Sequence, residues 1–296
     1  MKAITSLTHS IVGGLRLENL FAFLGKDTPF FNKFIPHPSH YQSKPQRVVI
    51  RDRVKFDLDV SDYMQWHVFA HLPDYSWKKA ADFLQPESHV LDIGANCGAF
   101  SLKLAQKAYE NNITSATIHA FDPNPYIVQK LTHNLSLNPQ LDNLVKVHAI
   151  GLGAENVEAP MVFSEANTGG AKVLGKEAQG QVMVQIKKID DFVSENQLDH
   201  ISFIKIDVEG YEPFVFLGAR ETIRKFRPAM YIEITDEWFK AQGYSKEFIF
   251  NLLLAENYEL LVEREHKFID IAAVKNQLDQ IPQFNLLALP QTNNGA

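Results

Sequence analysis

The stretch FIKIDVEGYEPF, residues 203–214, sets an apolar run directly against three carboxylates. Phe203, Ile204 and Ile206 have the aromatic and β-branched character of a buried strand. Asp207, Glu209 and Glu212 follow, with Gly210 among them. Unpaired carboxylates are costly to bury. A strand that delivers them to its own end therefore leads into a cleft. In open parallel sheets that is where ligands bind, beyond the carboxyl ends of the strands.

Working outward, the chain alternates strand and helix from about residue 88. SHVLDIGA, TIHAFDPN and LVKVHAIGLG read as strands, separated by the helical patterns AFSLKLAQKAYE and PYIVQKLTHNLSLN. The alternation breaks at about 158–188, which reads as a hairpin around a Gly-rich loop, inserted beside the sheet. It resumes with HISFIKID, the helix PFVFLGARETIRKF, the strand PAMYIEIT and the helix SKEFIFNLLLAENY. The end, with YELLVERE, KFIDIA and FNLLALP, is strand-rich. The pattern predicts an α/β fold with a mostly parallel, doubly wound sheet and an antiparallel C-terminal edge. Residues 1–85 differ. A short amphipathic helix, a polar stretch, the hairpin-like RVVIRDRVKFDLDV and a segment helical at its end (YMQWHVFAHLPDYSWKKAADFL) read as an N-terminal cap. The sheet domain then runs from 86 to 296.

The 296 residues are 45% hydrophobic, enough for a sizeable core, and the net charge of −6 argues against a general nucleic-acid binder. No apolar run is long enough to span a bilayer. Cys97 is the one cysteine, so no intramolecular disulfide forms. That fits a reducing compartment. The N-terminus lacks a clear cleavage site. A cytoplasmic protein is expected, and its oligomeric state is left open.

LDIGANCGAF places Asp92, Gly94, Ala95, Asn96 and Gly98 at the end of the first strand of the alternation. A dinucleotide fold would carry G-x-G-x-x-G there, whose amides cradle a pyrophosphate. This loop is G-x-x-x-G and begins with an acid, which would repel phosphate and suit an amino group. The ligand implied is nucleoside-like with an amino-acid end, as S-adenosylmethionine (SAM) is. Asp122, thirty residues later at the end of the second strand, is a candidate for ribose hydroxyls. Its competing role is as a turn former before Pro123.

The segments VLDIGANCGAFSLKLA, IHAFDPNPYIVQKL, ISFIKIDVEGYEPFVFLGA and RPAMYIEI, in this order, resemble the FkbM family of SAM-dependent methyltransferases. KIDVEGYE is the most family-specific of them, and the likeness runs over roughly residues 45–290. Cys97 departs from the small or apolar residue more usual there. The resemblance implies a class I, Rossmann-like methyltransferase sheet, SAM as methyl donor, and O-methylation of a sugar, glycan or other small metabolite. It places Asp92, Gly94, Asn96, Gly98 and Asp122 along the SAM site, and Asp207 and Glu209 beside the transferred methyl.

Three roles then compete for Asp207 and Glu209: orienting the sulfonium end of SAM, acting as general base, or holding a divalent cation. If the strand continues, the two face one side, and Glu233 from PAMYIEIT would complete a carboxylate trio suited to Mg²⁺. Glu212, followed by Pro213, reads as helix-start chemistry. His67, His71, His119 and His148 show no metal spacing and read as structural. Two other readings stand beside the methyltransferase. One is an NAD-type oxidoreductase on a similar sheet, which the missing third glycine disfavours. The other is a SAM-binding interaction protein without catalysis.

Overall fold

The computed structural model describes residues 18–25, 29–41, 45–164, 167–173, 182–265 and 267–291. Residues 1–17, parts of the polar stretch of the N-terminal cap and part of the 158–188 insertion lie outside them. The hairpin forms as expected. Strands β1 (Gln46–Arg51) and β2 (Val54–Asp59) pair antiparallel. Asp52 and Arg53, both with positive φ, make the two-residue turn that a right-twisted hairpin favours. Val54, Phe56 and Leu58 point inward from β2 and are fully buried. The outer edge of β2 is covered by side chains. Asn138 Oδ1 accepts from the Lys55 amide at 2.9 Å, and Asn134 Oδ1 from the Asp57 amide at 2.9 Å. An edge strand is thereby closed to further pairing.

The large sheet is built from β3 (His89–Ile93), β4 (Thr117–Phe121) and β5 (Val145–His148), then β10 (Ile201–Ile206), β11 (Ala229–Ile234), β12 (Tyr258–Arg264), β13 (Lys267–Asp270) and β14 (Phe284–Pro290). Its order is β13-β12-β14-β11-β10-β3-β4-β5. Strands β5, β4, β3, β10 and β11 run parallel, and β14, β12 and β13 form the antiparallel edge. Alternate residues feed two apolar layers. Val90, Ile118, Phe203 and Ala229 pack with the hairpin and the helix Ala99–Glu110. Leu91, Ile204, Ile206 and Ile232 pack with Phe192, Phe216 and Leu253 on the other face. The hairpin thus shares one apolar cluster with the sheet. No helix among the described residues is long and apolar enough to cross a membrane.

Three sequence expectations are corrected. LVKVHAIGLG is not one strand: it leaves the large sheet after His148 and re-forms as β6 (Gly151–Leu152) in a second sheet. That sheet has four strands rather than a bare hairpin, in the order β6-β9-β7-β8, with β7 (Val157–Ser164), β8 (Asn167–Val173) and β9 (Val182–Lys187). PFVFLGARETIRKF is two helices, Glu212–Leu217 and Arg220–Phe226. The break has a packing cause. A Cβ at Gly218 would overlap the Gly153 carbonyl oxygen, and the Gly218 carbonyl accepts from the Asp190 amide at 2.9 Å. The second sheet docks on that kink.

Three histidines on neighbouring strands line up across the sheet. His89 Nδ1 lies 3.1 Å from His119 Nε2, and His119 Nδ1 lies 3.0 Å from His148 Nε2. Burial, then the neighbouring imidazoles, pushes His119 down to about 3, and burial takes His148 down to about 4.

Two outcomes follow from these contacts. Gly94 and Gly243 both have positive φ, +83° and +80°. A Cβ at Gly94 would overlap the Asp207 carbonyl oxygen, whereas at Gly243 it meets nothing within 4 Å. Gly243→Ala should cost about 1–2 kcal/mol, the left-handed penalty alone. Gly94→Ala should cost about 3 kcal/mol or more, because backbone must move. Denaturant unfolding of both variants measures the difference. The second outcome concerns acid. A histidine held neutral in the fold binds fewer protons than its unfolded counterpart, so stability falls as pH drops from 6.5 toward about 3. Relative to His119→Phe, the native chain should lose up to about 1.4 kcal/mol per pH unit in that window. Parallel unfolding curves of the two proteins from pH 7 to 4.5 would show no such contribution.

Candidate active site

A cavity of about 740 Å³ opens at the carboxyl ends of β3, β4, β10 and β11, with Tyr63, His67 and Tyr75 of the N-terminal region on its wall. Ligand sites are commonly of this size. Its floor begins where β3 ends. Gly94, Asn96 and Gly98 all take positive φ, at +83°, +49° and +89°. The amides of Gly94 and Ala95 both donate to the Phe121 carbonyl, at 3.0 and 2.9 Å. The Asn96 amide donates to Asp122 Oδ2 at 3.2 Å, Cys97 to Asn96 Oδ1 at 2.6 Å, and Gly98 to the Ala95 carbonyl at 3.0 Å. All five loop amides are used within the protein. Gly94, Ala95 and Asn96 line the cavity, and Gly98 opens the helix behind it.

Asp122 stands at the end of β4 and also lines the cavity. Its Oδ1 accepts from the Asn124 amide at 2.9 Å, so it forms a turn as well as tying down the loop. Burial pushes its carboxyl up to about 7, against the pull of the two amides. The turn-forming and cavity-facing positions, read as competitors in the sequence, coincide.

Asp92 is placed differently. It lies beneath the cavity, fully buried, and is absent from the lining. Its Oδ2 accepts from Ser101 Oγ at 2.6 Å, and its Oδ1 lies 3.4 Å from Lys205 Nζ. Burial raises its carboxyl and Lys205 opposes that. Lys205, on β10, went unremarked in the sequence. Its ammonium donates to the Gly94 carbonyl at 2.9 Å and pairs with Asp207 Oδ2 at 3.3 Å. The one available signal was a charge two residues before Asp207 in an otherwise apolar strand.

The Asp207 amide extends the parallel pairing to the Ile93 carbonyl at 3.0 Å, but regular strand ends at Ile206. The strict alternation expected of Asp207 and Glu209 therefore does not apply. Instead Glu209 (φ +55°) and Gly210 (φ +97°) form a tight bend, and both carboxylates line the cavity. A non-glycine residue at positive φ is uncommon and tends to mark a functional position. Glu212 turns back, as helix-start chemistry predicts, and its Oε1 accepts from the Val208 amide at 2.8 Å. Burial pushes it up to about 8. Glu233 lines the cavity from β11 and accepts from Gln283 Nε2. Burial, then the charges of Asp207 and Glu209, pushes it up to about 9.

The carboxylate trio does not assemble as a cation site. Among the described residues no three His, Cys, Asp or Glu side chains are grouped to hold a metal ion. Lys205 engages Asp207, and Gln283 engages Glu233. Beyond β11 the cavity is lined by Glu263 and Asn285, which sequence reading missed. Tyr231 donates to the Glu263 carboxylate, and so does Asn285 Nδ2 at 3.1 Å. His119 and His148 stack behind Phe121 and are not part of this lining, whereas His67 belongs to it.

Residues 92–260 match the family model of the methyltransferase FkbM domain. Over 162 residues the chain is 28% identical to the methyltransferase sdnD of Sordaria araneosa, covering 45% of this chain and 60% of that protein. Over 170 residues it is 26% identical to the 2-O-methyltransferase NoeI of Sinorhizobium fredii, covering 52% and 65%. The chain thus spans less than two thirds of either relative. The solved methyltransferase FkbM of Methylobacillus flagellatus superposes with a TM-score of 0.44 at 15% identity, over 94% of this chain and 60% of that one.

Glu233 has a consequence for stability. Its carboxyl titrates higher in the fold than when unfolded, so the fold loses stability as pH rises from about 4.5 to about 9. Glu233→Gln removes that loss. Its thermal midpoint should exceed the native one at pH 8, and the gain should vanish as pH falls to 4.5. Melting curves across that range test it, and a gain that does not change with pH would contradict it.

Proposed function

This chain belongs to the FkbM methyltransferase family, and we propose that it is a SAM-dependent methyltransferase acting on a hydroxyl of a sugar, a glycan or another small metabolite. The observation that carries the reading is the spent glycine loop. Its five amides are bonded within the protein, so none is left to cradle a pyrophosphate. This speaks against the NAD-type alternative and suits a donor without phosphate. The fit is favourable on three counts. The loop presents a closed backbone wall, Asp122 presents a carboxylate beside it, and Phe121 and Pro123 add apolar surface. Asp122 would take the ribose hydroxyls. Asp92, beneath the floor, would act only through Lys205.

When bound, SAM supplies a methyl group on a positively charged sulfur. Asp207, braced by Lys205, faces the cavity and would orient that positive end. A hydroxyl is a poor nucleophile at neutral pH and needs a base. Glu209 would serve, taking the hydroxyl proton as the acceptor oxygen bonds to the methyl carbon and the carbon–sulfur bond breaks. The acceptor would lie beyond β10, against Glu233, Glu263, Asn285 and the N-terminal wall, where hydrogen-bonding groups suit a polyhydroxyl compound. NoeI, named as a 2-O-methyltransferase, supports oxygen as the acceptor atom. Cavity-facing carboxylates beside the donor wall disfavour a purely non-catalytic role. A single cysteine, which can form no intramolecular disulfide, fits a reducing compartment such as the cytoplasm.

Calorimetric titration with SAM, S-adenosylhomocysteine and NAD tests the donor. The first two should bind and NAD should not. Asp122→Ala should weaken both about tenfold or more, because they share the ribose. Glu209→Gln should lower kcat by roughly 10²–10⁴-fold on a hydroxylated acceptor while leaving SAM affinity intact. Binding of NAD in place of SAM would overturn the reading.

A further inference from the structure

We infer that Lys205 is a positioning residue of the donor site, acting through Asp207: its ammonium ties the glycine loop to the end of β10 and holds the Asp207 carboxylate at the cavity floor. The inference rests on the SAM reading and goes a step beyond it. Lysine is strongly hydrated and is seldom sunk in a sheet. Here its side chain is 10% exposed. Its ammonium donates to the Gly94 carbonyl at 2.9 Å and forms ion pairs with Asp207 Oδ2 at 3.3 Å and Asp92 Oδ1 at 3.4 Å. Burial alone would lower its pKa, but Asp207 and Asp92 hold it above the ordinary lysine value, so it stays charged.

The arrangement has a direction. Ser101, on the helix behind the loop, fixes Asp92. Asp92 is fully buried and faces no ligand, so its charge serves Lys205. Lys205 in turn spans β10 and the loop, and one member of the chain, Asp207, has its side chain 28% exposed and lines the cavity. Asp207 also stands among the acids Glu209, Glu212 and Glu233, and its charge helps push the last two up. Asp74 and Asp122 act on Lys205 from the N-terminal region and from β4. With Lys205 in place, Asp207 is pulled toward the loop. Without it, that carboxylate has three acidic neighbours and no such anchor.

A double-mutant cycle on SAM affinity tests this, with folding checked by circular dichroism. Lys205→Met and Asp207→Asn should each weaken SAM roughly 10- to 100-fold, the scale of a lost charged hydrogen bond. Combined, they should cost no more than the worse single change, because the first acts through the second. Lys205→Arg, which keeps the charge, should recover most of the affinity. Losses that multiply, or an arginine variant as poor as methionine, would show that Lys205 only packs, and would overturn the inference. If Lys205→Met alone does not fold, the same cycle in an Asp92→Asn background removes the stranded carboxylate and is read in the same way. Native protein that binds no SAM would instead overturn the donor reading.

Discussion

No side chain fits between the end of β3 and the end of β10. A Cβ at Gly94 would overlap the Asp207 carbonyl oxygen and come within 2.9 Å of its carbon. That approach holds two strands together where the strand order changes direction, with β3 leading out to β4 and β10 leading out to β11. The cavity floor is a consequence. Once Gly94 lies on Asp207, the following residues can reach helix only through the positive φ of Asn96 and Gly98. The loop amides then find partners in Phe121, Asp122 and the loop itself.

Much of this was legible in the chain because it is local. The 3.6-residue and two-residue periodicities locate the alternating helices and strands, and the glycine spacing locates the loop. The carboxylates after Ile206 mark the end of a strand at a cleft. What was not legible depends on residues far apart in sequence. Gly218 breaks a good helical pattern because Gly153, from another sheet, occupies the space. Asp92 looks like a ligand residue until Lys205, more than a hundred positions later, is found beside it. Tyr63, His67 and Tyr75 reach the cavity only because the N-terminal hairpin packs on the sheet. Periodicity does not encode that docking.

The acids divide by partner rather than by sequence position. Asp207 has an ammonium, Asp122 has two amides, Glu212 has one amide and Glu233 has a neutral amide side chain. Asp122, Glu212 and Glu233, which have amides rather than an ammonium as partners, are pushed up to about 7, about 8 and about 9. The cavity therefore offers, in Glu233, a carboxyl held protonated near neutral pH on the same wall as the ion-paired Asp207. One group can accept a proton while its neighbour donates a hydrogen bond.

The row of His89, His119 and His148 carries a constraint of its own. Each neutral imidazole has one N–H, and each ring nitrogen in the two contacts must match its opposite. If His119 donates from Nε2 to His89, its Nδ1 must accept from His148. If it donates from Nδ1 to His148, His89 must be the donor to it. The three rings therefore share two tautomeric arrangements, and a proton shift at one end requires shifts along the whole row. Which nitrogen carries the proton on the β3 ring thus fixes which nitrogen carries it on the ring of β5, two strands away at the sheet's edge.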